Sequence, residues 1–325
     1  MRRFSSALIG SLFAWMLCAC PAADDSDGPG GDEVGSEDSE TETESESGTE
    51  TGTETETETE SEGESDTGMG GNPLLSDAVL NIAHRGGRRE RPEATLPAFE
   101  HALSVGSDVI EMDLHMSSDG VIVVLHDDTV DRTTDGTGPV KDMSFDELRA
   151  LDAGYDFTTD DGETFPYRGM GIQIPRVEEI FETFPDAYYL MEIKQTEPSL
   201  VPTFAAVLED YGIADRIVVA SFSDATIQEF REASPDTFTA MALAEMLAYQ
   251  QASNDRDPDY VPPCEFVQSP WELTSKALID FAHALDLKVH PWTVNDAADM
   301  ENLIADGVDG IMTDDPVLLE GVIGG

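Results

Sequence analysis

Eight short apolar runs, alternating with segments of helical period over residues 77–325, predict an α/β fold, a TIM (β/α)8 barrel. The runs are VLNIAH, DVIEMD, AYYLMEIK, RIVVAS, TFTAMAL, EFVQS, LKVHPWTV and VDGIMTD, each short and apolar as a buried parallel strand should be. Between them lie ATLPAFEHALSV, LVPTFAAVLEDYG, DATIQEFREAS, TSKALIDFAHALD and DAADMENLIADG, several closed by the Gly or Asp of a helix stop. Eight such units in about 250 residues match the barrel's size. A doubly wound open sheet is the alternative, but no glycine-rich phosphate loop follows the first run. No internal repeat is visible.

Taken in order, the chain opens with Arg2 and Arg3, an apolar run over residues 7–17, and Leu17-Cys18-Ala19-Cys20. That is a secretory signal, too short to span a membrane. Leu-x-Ala-Cys resembles the bacterial lipoprotein signal, which implies cleavage after residue 19 and a lipid on Cys20; secretion without lipid is the alternative. Cys18 would leave with the signal peptide 1–19, so Cys264 would be the one free thiol and no intrachain disulfide could form. Residues 20–76 come next. Across 21–70 they carry nineteen Asp and Glu and no Lys or Arg, as in TETESESGTETGTETETETE. With little to bury and strong self-repulsion, this is expected to be a disordered acidic linker, a solvated tether.

Within the domain 77–325, VIVVLH (residues 121–126) is a ninth strand-like run. Only Ser117-Ser118-Asp119-Gly120 separates it from the second strand, too little for a parallel crossover and right for a turn. A β-hairpin insertion after strand 2 is therefore expected. Pairing Met116 with Val121 would set His126 opposite Glu111. Residues 155–175 show no period and read as an irregular excursion over one face, of the kind that is usually functional or mobile.

Forty-nine Asp and Glu against fifteen Lys and Arg leave residues 77–325 with a net charge of −34. Nucleic-acid binding needs a basic footprint, so it is excluded. Electrostatic docking on anionic lipid is excluded on the same ground. Yet Arg85, Arg88, Arg89 and Arg91 fall within seven residues. That suggests an anionic ligand, or merely a solvated basic loop.

Barrel active sites lie at the C-terminal ends of the strands. Those ends read His84-Arg85-Gly86, Glu111-Met112-Asp113, Glu192-Ile193-Lys194, Ala220-Ser221-Phe222, Trp292-Thr293-Val294-Asn295 and Met312-Thr313-Asp314. Glu111 and Asp113, two apart, share one face of a strand. Neighbouring carboxylates are costly unless something positive lies between them. With Glu192 they form a hard oxygen set that suits Mg2+ or Ca2+ rather than zinc. Pairing with arginines is the structural alternative and stays open on spacing alone.

His84-Arg85-Gly86-Gly87, Pro92-Glu93, Glu111-x-Asp113, His126-Asp127, Arg132-Thr133-Thr134-Asp135-Gly136-Thr137-Gly138 and Glu192-Ile193-Lys194 resemble the motifs of the glycerophosphodiester phosphodiesterases. So do Ser221-Phe222, Trp292-Thr293-Val294-Asn295 and Gly310-Ile311-Met312-Thr313-Asp314-x-Pro316, all in family order. The resemblance implies a TIM barrel, a divalent metal, and hydrolysis of glycerophosphodiesters to glycerol 3-phosphate and an alcohol. It implies Glu111, Asp113 and Glu192 as metal ligands and His84 and His126 as the acid–base pair. Arg85 and Lys194 would bind the substrate phosphate, and Glu93 and Trp292 would line the pocket. One departure stands out: the family's Pro-Glu-Asn-Thr is here Pro92-Glu93-Ala94-Thr95, so the asparagine's contact is absent or replaced.

His115 shares the Glu111 and Asp113 face but sits further out. His101 and His283 read as surface or packed histidines, and His290 as a residue that can line the barrel. Two other functions compete. One is a phospholipase D-like enzyme on lysolipids, with an acyl groove built from Phe157, Phe165, Tyr167 and Met170. The other is a catalytically dead envelope binding lipoprotein. The expected setting is the bacterial envelope, with the membrane engaged through Cys20 and a small glycerophosphodiester as partner.

Overall fold

The computed structural model describes residues 72–325. The signal peptide 1–19, Cys20 and the linker up to residue 71 lie outside the described residues. Each of the eight apolar runs contains a strand. The strands are β1 (Leu80–Ala83), β2 (Val109–Met116), β4 (Tyr188–Ile193), β5 (Ile217–Ala220), β6 (Phe238–Thr239), β7 (Phe266–Val267), β8 (Lys288–Val289) and β9 (Gly310–Thr313), with β3 (Ile122–Val124) between the second and third. Six pair in parallel in the order β6-β5-β4-β2-β1-β9, and β7 pairs with β8. A parallel bridge from Ala240 to Phe266 joins β6 to β7. Asp309 N donates to Val289 O at 3.0 Å and Met312 N to Pro291 O at 3.0 Å, which joins β8 to β9. The eight parallel strands thus follow one another round as in a TIM barrel.

Helix α1 (Leu96–Ser104) follows β1; α2 (Phe145–Arg149) and α3 (Val177–Thr183) lie between β3 and β4. Then α4 (Val201–Tyr211), α5 (Asp224–Ala233), α6 (Leu243–Asp255), α7 (Lys276–His283), α8 (Ala297–Asp306) and α9 (Pro316–Ile323) each follow one strand. Thr95, Ser223, Ser275, Asp296 and Asp315 each accept an amide of the first turn of the helix they open.

Period-two alternation sorts the strand side chains into two cores. Ile110, Met112, Leu114, Tyr189, Met191 and Ile193 face outward and pack with Val201, Phe204 and Phe230 of the helices. Leu80, Ile82, Val109, Leu190, Val218, Phe266 and Met312 fill the bore. Further along the same inward face come His84 after Ile82, Glu111 and Asp113 after Val109, Glu192 after Leu190, and Asp314 after Met312. An apolar floor therefore carries a polar layer at the C-terminal end of the strands. In the β2–β4 register Asp113 stands beside Glu192.

Two expectations need correction. β3 pairs antiparallel with β2, Met116 opposite Ile122 and Leu114 opposite Val124, so the register differs by one residue from Met116–Val121. The turn takes up the extra residue: Ser117 N donates to Val121 O, and Val121 N donates to Ser117 Oγ at 2.9 Å. A one-residue slip exchanges faces in a sheet, but His126 escapes the rule because the pairing ends before it. It reaches the carboxylates from a loop.

The second correction concerns the end of the linker. Residues 72–76 belong to the folded domain, with a short 3-10 turn at Pro73–Leu75. Asn72 Nδ2 donates to Asp215 O at 2.5 Å, and Lys288 Nζ bonds Ser76 O at 2.8 Å. Leu74, 1% exposed, joins the core of the bore. Just after the acidic run comes the apolar Leu74-Leu75 pair, and burying one leucine offsets the cost of ordering the chain.

Residues 155–175 form neither helix nor strand, as expected. They are nonetheless tied together: the Arg168 guanidinium lies 4.0 Å and 3.7 Å from the ring centroids of Tyr155 and Phe165, and Phe157 meets Tyr167 edge-on at 5.4 Å. The aromatics expected to line an acyl groove are thus committed to each other and to Arg168. Met170, 68% exposed, is the exception among them. Cys264 is buried, which pushes its thiol up to about 12. Among the described residues no helix is long and apolar enough to cross a membrane.

Candidate active site

The turn after β1 builds the first wall. Arg85, Gly86 and Gly87 adopt φ of 52°, 78° and 84°, three left-handed residues in succession. Gly86 is needed for room as well, because a Cβ there would stand 2.8 Å from the Phe99 ring. The turn aims Arg85 N at Glu111 Oε2, 2.7 Å away. It also lifts His84 over the bore, with Nε2 4.0 Å from the same carboxylate oxygen. Ala94 is left-handed too, at φ 58°, and its N–H donates to Arg85 O. That conformation suits an asparagine, the residue the resemblance leads one to expect here, better than alanine.

His84 Nδ1 lies 2.5 Å from Asp314 Oδ1. Asp314 is in turn held by Arg88 Nε at 2.8 Å and by Asn295 Nδ2 at 2.9 Å. Burial first, then the Arg85 charge, lowers the His84 pKa below its ordinary value, although Asp314 pulls the other way. Asp314 itself falls far below the carboxylate range: burial pushes it up, but His84 and Arg88 outweigh burial.

His126 repeats this design on the opposite loop. Its Nδ1 lies 2.7 Å from Asp127 Oδ1, and it stands close enough to Asp113 and Glu192 to interact with both electrostatically. Asp127 is gripped by Arg132, whose other edge grips Glu93. His115, buried on the Asp113 face, points Nε2 at His126 O, 3.3 Å away. It supports the loop.

The three carboxylates expected to ligate a metal do converge on one end of the bore. What lies among them here is basic side chain. Arg85, 1% exposed, places Nε 3.6 Å from Asp113 Oδ2 and NH1 3.0 Å from Glu93 Oε1. Lys194 Nζ lies 3.3 Å from Asp113 Oδ1 and 2.9 Å from Glu192 Oε2. Arg85 is therefore a buried counter-ion, while Lys194 keeps 20% of its side chain exposed.

Charge is divided unevenly. Glu111 is raised well above its ordinary pKa, by burial first and Asp113 second. Burial raises Asp113 too, yet Lys194 and Arg85 carry it down to about 2. Glu192 is raised, chiefly by burial. Among the described residues no three of these side chains stand together at ligating geometry. The chemistry of the donors still fits a hard cation: all are oxygen, and buried Asp113 Oδ2 has no hydrogen-bond donor. Burial and the neighbouring Asp113 together disfavour the Glu111 charge, and a bound cation would offset both.

At the rim, Phe222, 40% exposed, meets Trp292 edge-on at 5.9 Å, and Lys194 Nζ stands 5.9 Å from the Phe222 ring. The expected pocket residue Trp292 is thus one half of an aromatic wall. Glu93 sits lower and has another job: burial raises it, but Arg132 and Arg85 bring it down to about 2. His290 lines the bore beneath the site, fully buried, its pKa pushed to about 4 by burial. His101 meets Glu90 and His283 meets Asp309, both away from this layer.

Sequence reading missed Asp127, Arg132, Asn295 and Asp314 as working residues, although all four stood in its motifs. Their signal was position: Asp127 follows His126, Asp314 follows β9, and Asn295 and Arg132 stand in motifs already quoted.

The family model described as glycerophosphoryl diester phosphodiesterase matches residues 84–318. A glycerophosphodiester phosphodiesterase of Caldanaerobacter subterraneus subsp. tengcongensis is 33% identical over 261 residues, covering 74% of this chain and 96% of that protein. One from Bacillus subtilis is 31% identical, covering 78% and 89%. Among solved structures, the glycerophosphoryl diester phosphodiesterase domain of a Mycobacterium tuberculosis protein superposes with a TM-score of 0.68 at 26% identity. That match covers 75% of this chain and 98% of the domain.

Proposed function

The chain belongs to the glycerophosphoryl diester phosphodiesterase family and is a phosphoric diester hydrolase, and from that premise we propose that it hydrolyses glycerophosphodiesters to glycerol 3-phosphate and an alcohol. The observation that carries the reading is the pair of histidines, each with Nδ1 against an aspartate, flanking three carboxylates. A carboxylate on Nδ1 fixes the Nδ1–H tautomer and leaves Nε2 to exchange the proton. One histidine takes the proton of the attacking water as its oxygen bonds to phosphorus, and the other gives a proton to the leaving alcohol as the P–O bond breaks. Lys194 faces a phosphate oxygen as a point charge, and Trp292 with Phe222 walls the organic part of the substrate. Arg85, as a buried counter-ion, supports the phosphate site by balancing Asp113 and Glu93.

Glu111, Asp113 and Glu192 would hold a divalent cation, Mg2+ or Ca2+. When bound, such an ion withdraws charge from a phosphoryl oxygen. The direct test is release of glycerol 3-phosphate from glycerophosphocholine and from glycerophosphoglycerol by the folded protein. No release from either would overturn the reading. Activity confined to lysolipids would instead favour the phospholipase D-like alternative.

The Leu17-Cys18-Ala19-Cys20 motif supports export and a lipid anchor on Cys20, with the acidic segment as the tether to the bacterial envelope. Cys20→Ser should then move the activity from the membrane fraction to the soluble fraction. Equal membrane retention of the two forms would rule the anchor out.

A further inference from the structure

The motif at residues 132–138 has no part in the chemistry above, yet the loop that carries it is closely built. Thr129 bridges Pro139, and Asp131 accepts from Thr137 Oγ1 at 2.6 Å and from Gly138 N at 2.9 Å. Thr134 Oγ1 closes on Val130 O at 2.7 Å. The loop presents Arg132. Its guanidinium gives Nε to Asp127 Oδ2 at 2.7 Å and NH2 to Asp127 Oδ1 at 3.2 Å. It gives NH1 to Glu93 Oε2 at 2.8 Å and NH2 to Glu93 Oε1 at 2.6 Å. Four of the five N–H groups of an arginine are thereby committed in two planar forks. Little is left with which to bind substrate.

The two carboxylates stand on different walls of the site. Asp127 follows the hairpin strand and holds His126; Glu93 belongs to the loop after β1 and holds Arg85. We propose that Arg132 is a positioning residue, a clamp that ties the loop after β1 to the loop after β3 and fixes the His126 imidazole through Asp127. The proposal rests on the reading of His126 as an acid–base residue. β3 ends two residues before His126. Leu125 N still donates to Asp113 O and His115 Nε2 meets His126 O, which hold the backbone there, while Asp127 and its fork orient the imidazole. Lysine could not substitute, since one ammonium cannot make two planar forks.

The test is a set of steady-state measurements on the full chain. Arg132→Ala should lower kcat by about 10–100-fold, the effect of a catalytic group displaced by a fraction of its bond length to an ångström, with KM within about threefold. Asp127→Asn should do the same, and the double variant should be no worse than Asp127→Asn alone, because both act through one contact. Arg132→Lys should stay impaired. Millimolar guanidinium should partly restore Arg132→Ala, whose site is open to solvent, and should not restore the double variant. Near-native kcat in Arg132→Ala, additive losses, or a loss confined to KM would overturn the clamp. His126→Ala separates the two levels of inference. Retained turnover there overturns the histidine reading itself, whereas lost turnover there with an intact Arg132→Ala overturns only the clamp. If Arg132→Ala fails to fold, Arg132→Lys carries the test, and native kcat in it overturns the proposal.

Discussion

Replacing His84 or His126 by alanine lowers kcat by about 10²–10⁴-fold, the contribution of a positioned acid or base. KM should change little, because neither ring supplies the positive charge that binds the phosphate. The two variants should differ in stability, and the structure says which way. His84 is 6% exposed and its partner Asp314 is 1% exposed. Removing the imidazole leaves a buried aspartate that has lost one of its three partners, a cost of about 1–3 kcal/mol. His126 stands on a more open loop, and Asp127 keeps Arg132 when the ring is gone. His126→Ala should therefore melt close to the parent and His84→Ala several degrees lower. Turnover within a factor of a few of the parent in either variant would remove that histidine from the mechanism.

Chelation should abolish turnover, and Mg2+ or Ca2+ should restore it, if the three carboxylates hold the ion proposed above. Glu111 gives the sharper form of the prediction, because burial and Asp113 together raise its pKa well above the ordinary value. A bound dication reverses that balance and favours the ionised carboxylate. Cation affinity should accordingly rise with pH as Glu111 gives up its proton, and ion binding should release a proton in calorimetry. Glu111→Gln removes both effects. With Asp113→Asn, the buried Arg85 and Lys194 lose their shared counter-ion, so that variant should lose stability as well as activity. Full activity in excess chelator, with no metal in the protein by elemental analysis, would eliminate the ion.

Sequence by itself determined the parts of this protein that local physics governs. Each of the eight apolar runs became a strand, because buried parallel strands need continuous apolar residues and helices between them need a 3.6-residue stripe. Alternation alone placed Glu111 and Asp113 on one face of β2, two and four residues beyond Val109.

Tertiary structure decided what depends on distance. Asp314 lies 230 residues from His84 and becomes its partner only because β9 pairs with β1 as the strands close round. Leu74 looked like the end of a tether until the open floor of the bore gave it somewhere to pack. Which basic side chains stand beside the carboxylates was not legible in the spacing, and the fold brings Arg85 and Lys194 there. The hairpin pairs one residue away from the expected register, and in its turn Ser117 Oγ accepts the amide of Val121. The register of a short hairpin depends on its turn and on the neighbours its side chains meet across the fold, and alternation within one strand encodes neither.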